Sequence, residues 1–401
     1  MLNIFHLKSF VITLICSMLL LPFQAQSEEV EYKKFTASHK ELDEAQYYFL
    51  VDLDTKEVLL SKNADKRVAP SSMTKLMTAY VVFDQVSKGS IKLEQQCFVG
   101  KNAWGKTGSS MFLNYGDVVS IDELVQGLLA VSGNDASIVL AEAISGSVDN
   151  FAYLMNLKAR ELGLKNSHFK NPHGLNEDDH YMTMRDLATL AERMYKDFPQ
   201  YSDYLGIKDF TYKNITQHSR NPLIKNDYEG IVGGKTGHTD DGGYGVVGVV
   251  KRYDRRLVAV VNKAKTSKQR AAIITELFDY GFNEYKKVTL FKKYQTVSKL
   301  QTWLGKDSKV EVVPNQDVSF NIPQEKSLDS IIVRVKYKGP IYAPIKKGDK
   351  IAKLLINAKG HKVFEYDLFA KETVEQSGYF RKVSQILRYK VRSFINKFSK
   401  K

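Results

Sequence analysis

The spacing of apolar residues changes character along this chain, and the order of those changes limits what it can fold into. Residues 45–52 (Ala-Gln-Tyr-Tyr-Phe-Leu-Val-Asp) read as a strand, and the turn Asp54-Thr55-Lys56 leads into a second strand at 57–60, so a hairpin is predicted. The period then becomes helical. Leu76, Tyr80 and Phe83 follow Pro70 at helical spacing, with Lys88-Gly89 as a stop signal, and further apolar helices are predicted at 121–130, 136–144, 150–162 and 184–194. Strand character returns at 231–237, 244–250 and 256–261, the last two joined by a tight Tyr253-Asp254-Arg255 turn, before a long helix at 269–285. A helical middle flanked by strands that can pair in one sheet predicts an α/β (α+β) domain. Beyond about residue 285, short alternating strands dominate at 310–313, 330–337, 350–356 and 362–367, with turns such as Lys338-Gly339-Pro340 between them. A small all-β unit is therefore predicted at 287–376.

The two ends read differently from the body. Lys8 precedes an apolar run from Ser9 to Leu21, Pro22 closes it, and Ala25-Gln26-Ser27 supplies small residues for cleavage, so residues 1–27 are read as an export signal. Cys16 would leave with that signal and Cys97 would remain. A disulfide within the exported chain is then excluded, and stability must come from the core. Cys97 itself reads as a small buried apolar residue. The formal net charge of +14 invites a nucleic-acid partner. Residues 381–401, however, carry eight of the cations and no acid, which leaves an ordinary balance elsewhere. In the same tail Phe380, Val383, Leu387, Val391, Phe394 and Phe398 recur at spacings of three and four. A basic amphipathic helix of this kind lies in the interface of an anionic membrane, so residues 377–401 are read as a peripheral anchor and no nucleic-acid partner is expected. The sequence has no His-Glu-x-x-His pair and no Cys-x-x-Cys pair, so neither a metal nor another cofactor is expected.

Three short motifs occur in order: Ser72-Met73-Thr74-Lys75, Ser132-Gly133-Asn134 and Lys235-Thr236-Gly237. Each is weak alone. Ser167-His168-Phe169-Lys170, Ser61-Lys62-Asn63, Ser219-Arg220-Asn221 and Lys106-Thr107-Gly108 fit the same patterns. Context separates them. Ser72 follows Pro70 at the opening of a predicted helix, Ser132 lies in a break between two apolar helices, and Lys235 ends a strand beside glycines. Lys106 sits in a polar loop with no predicted strand on either side and is set aside. The chemistry suits acyl transfer. A serine hydroxyl needs a base to become a nucleophile, and Ser72 and Lys75, three apart, share one helix face. Lysine acts as that base only when neutral, which burial and a nearby cation such as Lys235 favour. The helix N-terminus, with the Ser72 N–H, suits an oxyanion. Gly233, Gly234 and Gly237 let a substrate backbone lie against the strand edge.

Taken together, these motifs resemble the D-alanyl-D-alanine carboxypeptidases of the low-molecular-mass penicillin-binding protein group. Asn171-Pro172-His173-Gly174-Leu175, Ser219-Arg220-Asn221-Pro222-Leu223, Lys235-Thr236-Gly237-His238-Thr239 and Lys263-Ala264-Lys265-Thr266 followed by Arg270 are similar to further blocks of that family. The resemblance implies a serine β-lactamase/penicillin-binding transpeptidase-like domain at 28–286, with a central antiparallel sheet flanked by helices. The small all-β domain and the amphipathic helix follow it. It implies that Ser72 is acylated by the penultimate D-alanine of a peptidoglycan stem, with Lys75 as base and with Ser132 and Asn134 relaying protons and holding the substrate amide. It further implies that Lys235 supports the electrostatics and that the N–H groups of Ser72 and His238 form the oxyanion hole. Thr236, Gly237, Arg220 and Arg270 would then bind the substrate and its terminal carboxylate; each arginine has a structural ion pair as its alternative role. His173 is read as bracing a loop. β-Lactams are implied as inhibitors. Gly133, in place of an acid, and the absence of an evident deacylating glutamate loop imply slow release of penicillin. The implied location is the periplasmic face of the inner membrane. Alternatives are a β-lactamase or D,D-endopeptidase on the same scaffold, or a non-catalytic envelope-binding protein.

Overall fold

The computed structural model describes residues 40–358 and 363–387, all within one compact unit that begins at Lys40. The export signal expected at 1–27 and most of the basic tail, 388–401, lie outside these residues. The predicted hairpin and the later strands join in one antiparallel sheet, in the order Val58–Lys62, Tyr47–Asp52, Arg255–Ala264, Gly243–Arg252, Ile231–Thr239. Its register sets Tyr48 opposite Val261 and Lys235 opposite Val247. The run Leu257-Val258-Ala259-Val260-Val261 is apolar throughout because both faces of the sheet are covered. Leu257, Ala259 and Val261 pack with Ile273, Ile274, Leu277 and Phe278 of the helix Ser267–Asn283. Val258 and Val260 face Met73, Leu76 and the helical body.

That body holds the helices Lys75–Ser87, Ile121–Ala130, Asn134–Ser145, Val148–Leu162 and Met184–Asp197. Their ends follow local chemistry. Ser120 and Glu123 close a capping box, Thr183 accepts from the Asp186 N–H, and Gly163 takes the left-handed conformation after Leu162. At the sheet edge, the 3-10 turn Pro199–Gly206 backs onto the first half of Ile231–Thr239. Added Cβ atoms at Gly206 and Gly233 would lie 2.9 Å from the Val232 carbonyl oxygen and 2.4 Å from the Leu205 carbonyl oxygen. The Thr236–Thr239 end of this edge strand borders a cleft.

Residues beyond the helix Ser267–Asn283 form a second core around Val310, Val312, Phe320, Ile322, Leu354, Ile356 and Leu368. It is built from a six-stranded sheet and from the pair Tyr285–Phe291 with Val318–Pro323. The strand Tyr285–Phe291 crosses the boundary expected at 286/287. A buried ion pair ties the joint. Arg255 Nε donates to Asp52 Oδ2 at 2.7 Å, and its Nη1 donates to the carbonyls of Gly281 and Tyr285, both at 2.7 Å. Asn321 Nδ2 donates to Thr55 Oγ1 at 2.7 Å across the same joint. Removing one partner of a buried pair strands the other charge. Arg255→Met should therefore cost about 3–5 kcal/mol in a urea unfolding titration.

Residues 379–387 are helical, with Phe380 and Leu387 exposed and Val383 at the margin. Among the described residues no helix is long and apolar enough to cross a membrane.

Candidate active site

Ser72 lies not in the α-helix but in a 3-10 turn, Ser71–Thr74, that runs into the helix Lys75–Ser87. The tighter turn keeps Ser72 and Lys75 on one side, because residues three apart eclipse in 3-10 geometry. Lys75 is wholly buried, and its Nζ lies 2.9 Å from Ser72 Oγ, 2.7 Å from Asn134 Oδ1 and 2.7 Å from the His173 carbonyl oxygen. Burial above all, then the charges of Lys235 and Arg220, hold the Lys75 ammonium well below its usual range, against the opposing pull of Asp135. Lys235 is itself pushed down to about 7 by burial and then by Arg220 and Arg270, and its Nζ donates to the Thr236 carbonyl at 3.1 Å.

One loop steadies this turn. The His173 carbonyl holds Lys75, and the Pro172 carbonyl accepts from Thr78 Oγ1 at 2.6 Å. His180 receives the Lys170 N–H on Nδ1 at 3.2 Å, so its Nε2–H faces Thr74 Oγ1 at 2.9 Å. Burial, first of all, holds His173 down to about 3 and His180 to about 4, so both are neutral near pH 7. Gly174, at φ +84°, lets the loop close, since a Cβ there would stand 1.9 Å from the Ser71 carbonyl oxygen.

The second motif sits at the start of the helix Asn134–Ser145. Asn134 Oδ1 accepts from Lys75 while its Nδ2 donates to the Thr107 carbonyl at 2.8 Å, which fixes the amide. Ser132 takes φ +66°, unusual for a side-chain-bearing residue, and its buried Oγ has no hydrogen-bond partner among the described residues. Asp135 is buried beneath and accepts from the N–H groups of Met111 and Leu113 and from Ser110 Oγ.

Ser72, Ser132, Asn134, Arg220, Thr236, Gly237, His238 and Arg270 line one cleft of about 510 Å³, with Lys75 and Lys235 buried at its base. The ten residues given catalytic or binding roles thus meet in one place, whereas Gly233 and Gly234, also expected along the substrate edge, lie outside the cleft lining and pack against the Leu205 and Val247 carbonyls. Arg220 is exposed and donates to Ser109 Oγ, whereas Arg270 is buried and held down to about 10 by that burial. Among the described residues neither arginine has an acidic partner within ion-pair distance.

The loop Lys106-Thr107-Gly108, set aside in the sequence as a copy of the third motif, nonetheless borders the site. It runs between the strands Gln96–Phe98 and Val118–Ser120, and Gly108 and Ser109 form a wall of the cleft. An added Cβ at Gly108 would lie 2.8 Å from Asn134 Nδ2, so the backbone must pass close. The run of small residues Thr107-Gly108-Ser109-Ser110 was the available signal. Tyr244, also missed, stacks on His238 at 3.9 Å and lies under Arg270. Among the described residues no group of acids, histidines and cysteines is arranged to hold a metal.

A serine touching a buried lysine one turn away, in a cleft walled by Ser-x-Asn and Lys-Thr-Gly segments, defines an active-site-serine acyl-transfer enzyme. The model of the D-alanyl-D-alanine carboxypeptidase family matches residues 33–266, and that of the penicillin-binding protein 5 C-terminal domain matches 285–376. The chain belongs to the D-alanyl-D-alanine carboxypeptidase family and is a serine-type D-Ala-D-Ala carboxypeptidase of cell-wall metabolism. It is 35% identical to D-alanyl-D-alanine carboxypeptidase DacF of Bacillus subtilis over 93% of this chain and 96% of that one. It is 30% identical to DacA of Escherichia coli, over 91% and 92%. Penicillin-binding protein 5 of Haemophilus influenzae superposes with a TM-score of 0.78 at 32% identity, covering 83% of this chain and 98% of that structure. Penicillin-binding protein D2 of Listeria monocytogenes, solved with ampicillin bound, gives 0.55 at 26% identity over 59% and 97%.

Proposed function

We propose that Ser72 is the nucleophile and that neutral Lys75 is its base. One observation carries this assignment. A neutral amine has two N–H bonds and one lone pair. The Asn134 and His173 carbonyl oxygens are pure acceptors and take both N–H bonds, which turns the lone pair toward the Ser72 hydroxyl. Ser72 Oγ attacks the carbonyl of the penultimate D-alanine as its proton passes to Lys75, and the N–H groups of Ser72 and His238 receive the oxyanion. The C–N bond breaks, a proton reaches the leaving amine through Ser132 Oγ, and D-alanine departs. Water then cleaves the ester. The orphaned Ser132 hydroxyl suits a relay, since its partner would arrive with the substrate. The strand end at Thr236 and Gly237 pairs with the substrate backbone. Arg220 and Arg270, without acidic partners among the described residues, receive the terminal carboxylate.

Peptidoglycan stems and β-lactams are the ligands of this reading. Fluorescent penicillin should label the tryptic peptide that contains Ser72, and the adduct should persist for minutes or longer. A label elsewhere, or rapid turnover of the drug, sinks the assignment.

The Lys235 ammonium is needed as a charge, so acylation should fall as pH rises through about 7. Arg270→Gln removes a cation that depresses Lys235, and the alkaline limb for penicillin acylation should move to higher pH. The same shift has a stability counterpart. Between pH 7 and 10.5 the unfolded chain binds more protons at this lysine, so its contribution favours the fold as pH rises.

The chain is also read as exported, with the tail as a peripheral anchor. The exposed apolar residues of 379–387 support this, and the remaining tail residues of the stripe lie outside the described region. A chain ending at Glu375 should stay in the supernatant with anionic vesicles and still release D-alanine. Loss of both properties together argues against a simple anchor.

A further inference from the structure

A second cleft of about 560 Å³ adjoins the catalytic one and shares Arg220, Ser267 and Arg270 with it, but does not reach Ser72. Its charges are uneven. Lys208 is paired with Asp227 at 2.8 Å, and His218 Nδ1 lies 2.6 Å from Asp209 Oδ1, an ion pair only when the imidazole is protonated. Lys225, Lys268, Arg220 and Arg270 have no acidic partner within ion-pair distance among the described residues. Arg270 is 7% exposed, and among the described residues its Nε has no hydrogen-bond partner and its Nη groups reach only carbonyls, at 3.5 and 3.3 Å. Burying a guanidinium without a counter-charge is costly, so the free fold holds a cationic wall that an anion would satisfy. The first turns of the helix Ser267–Asn283 supply Ser267, Lys268 and Arg270, and the positive end of that helix adds to the field.

We propose that this cleft is a subsite for the side chain of the leaving residue and that it selects a carboxylate there. The inference rests on the reading above, in which Arg220 and Arg270 hold the α-carboxylate of that residue. With that group fixed, the side chain on the same Cα starts beside the two arginines that open into the second cleft. An aspartyl or glutamyl side chain would extend toward Lys225 and Lys268, whereas a lysyl side chain would meet like charges. The reaction is unchanged: water is consumed, the D-alanyl amide is cleaved, and the leaving D-residue carries an acidic rather than a methyl side chain. The enzyme would then also trim stems ending in D-Ala-D-Glu.

The test uses four peptides identical except for a last residue of D-Ala, D-Glu, D-Gln or D-Lys, assayed at low salt with the full chain. Solvent-accessible ion pairs are individually weak, so two lysines should give D-Glu about a fivefold advantage over D-Gln in kcat/KM, falling with added salt. The double variant Lys225→Glu/Lys268→Glu should reverse the order, so that D-Lys exceeds D-Glu, while D-Ala release stays at the wild-type rate. Lys225→Gln/Lys268→Gln, should the charge reversal fail to fold, should abolish the D-Glu advantage alone. Wild-type enzyme that releases D-Ala but treats D-Glu and D-Gln alike, or a preference that survives both double variants, overturns the subsite. Failure to release D-Ala at all is a separate result and overturns the underlying reading with it.

Discussion

Lys75→Met should lower the rate of acylation by fluorescent penicillin, and kcat/KM for D-alanine release, by about 10³-fold or more, while leaving a folded protein. General-base catalysis accounts for 10²–10⁴ in typical cases, and the proposed base also holds the Ser72 hydroxyl by a 2.9 Å contact. The fold should tolerate the change because a wholly buried amine is exchanged for an apolar chain of similar length. Against that gain, the Asn134 and His173 carbonyls lose a donor, at about 1–3 kcal/mol each, so the net change in melting temperature should be small. The residual rate should no longer rise with pH along the limb that reports Lys75. A variant that melts normally and is still labelled at the wild-type rate would remove the lysine from the mechanism. Ser72→Ala, measured alongside, should take no label at all.

Gly174→Ala should be nearly as damaging although it adds a single methyl group. That methyl would stand 1.9 Å from the Ser71 carbonyl oxygen and 2.7 Å from Thr74 Oγ1, at a φ of +84° that side chains rarely adopt. Either the turn bearing Ser72 or the loop bearing the His173 carbonyl must move. Displacing catalytic atoms by an ångström costs about 10²-fold in rate. The strain adds about 1–3 kcal/mol of destabilisation, readable as a lower melting temperature. Wild-type labelling kinetics in this variant would mean that the loop is not what holds Lys75 in place.

Periodic apolar residues made the sheet and the main helices legible. The run from Leu257 to Val261 and the stripe Leu76, Tyr80, Phe83 both report burial directly, and burial decides those elements. The hairpin Asp209–Tyr212 with Ile215–His218 was not legible, because its strands are short, polar and mostly exposed. The long helix starts two residues earlier than expected and ends at Asn283, because Thr266 caps it by accepting the Gln269 N–H. In the cleft, residue types alone were enough to single out Ser72, Lys75, Ser132 and Lys235 as candidates, and the structure sets them side by side. The third partner of Lys75 is a main-chain carbonyl, which any residue could supply, so nothing in the side chain at 173 announces it. The loop at 106–110 reads as a plain connector because no strand is predicted on either side of it, although its small residues mark a place where backbone passes near another group.

The edge of the central sheet has one more implication. Unpaired strand edges invite other chains to add themselves, which is a common route to clumping. Here the turn Pro199–Gly206 shields the first half of Ile231–Thr239, and the open remainder lies within a walled recess. The stretch proposed to grip a peptide is thereby kept too short and too enclosed for a neighbouring molecule to zip onto. Catalytic need and colloidal safety are met by the same few residues.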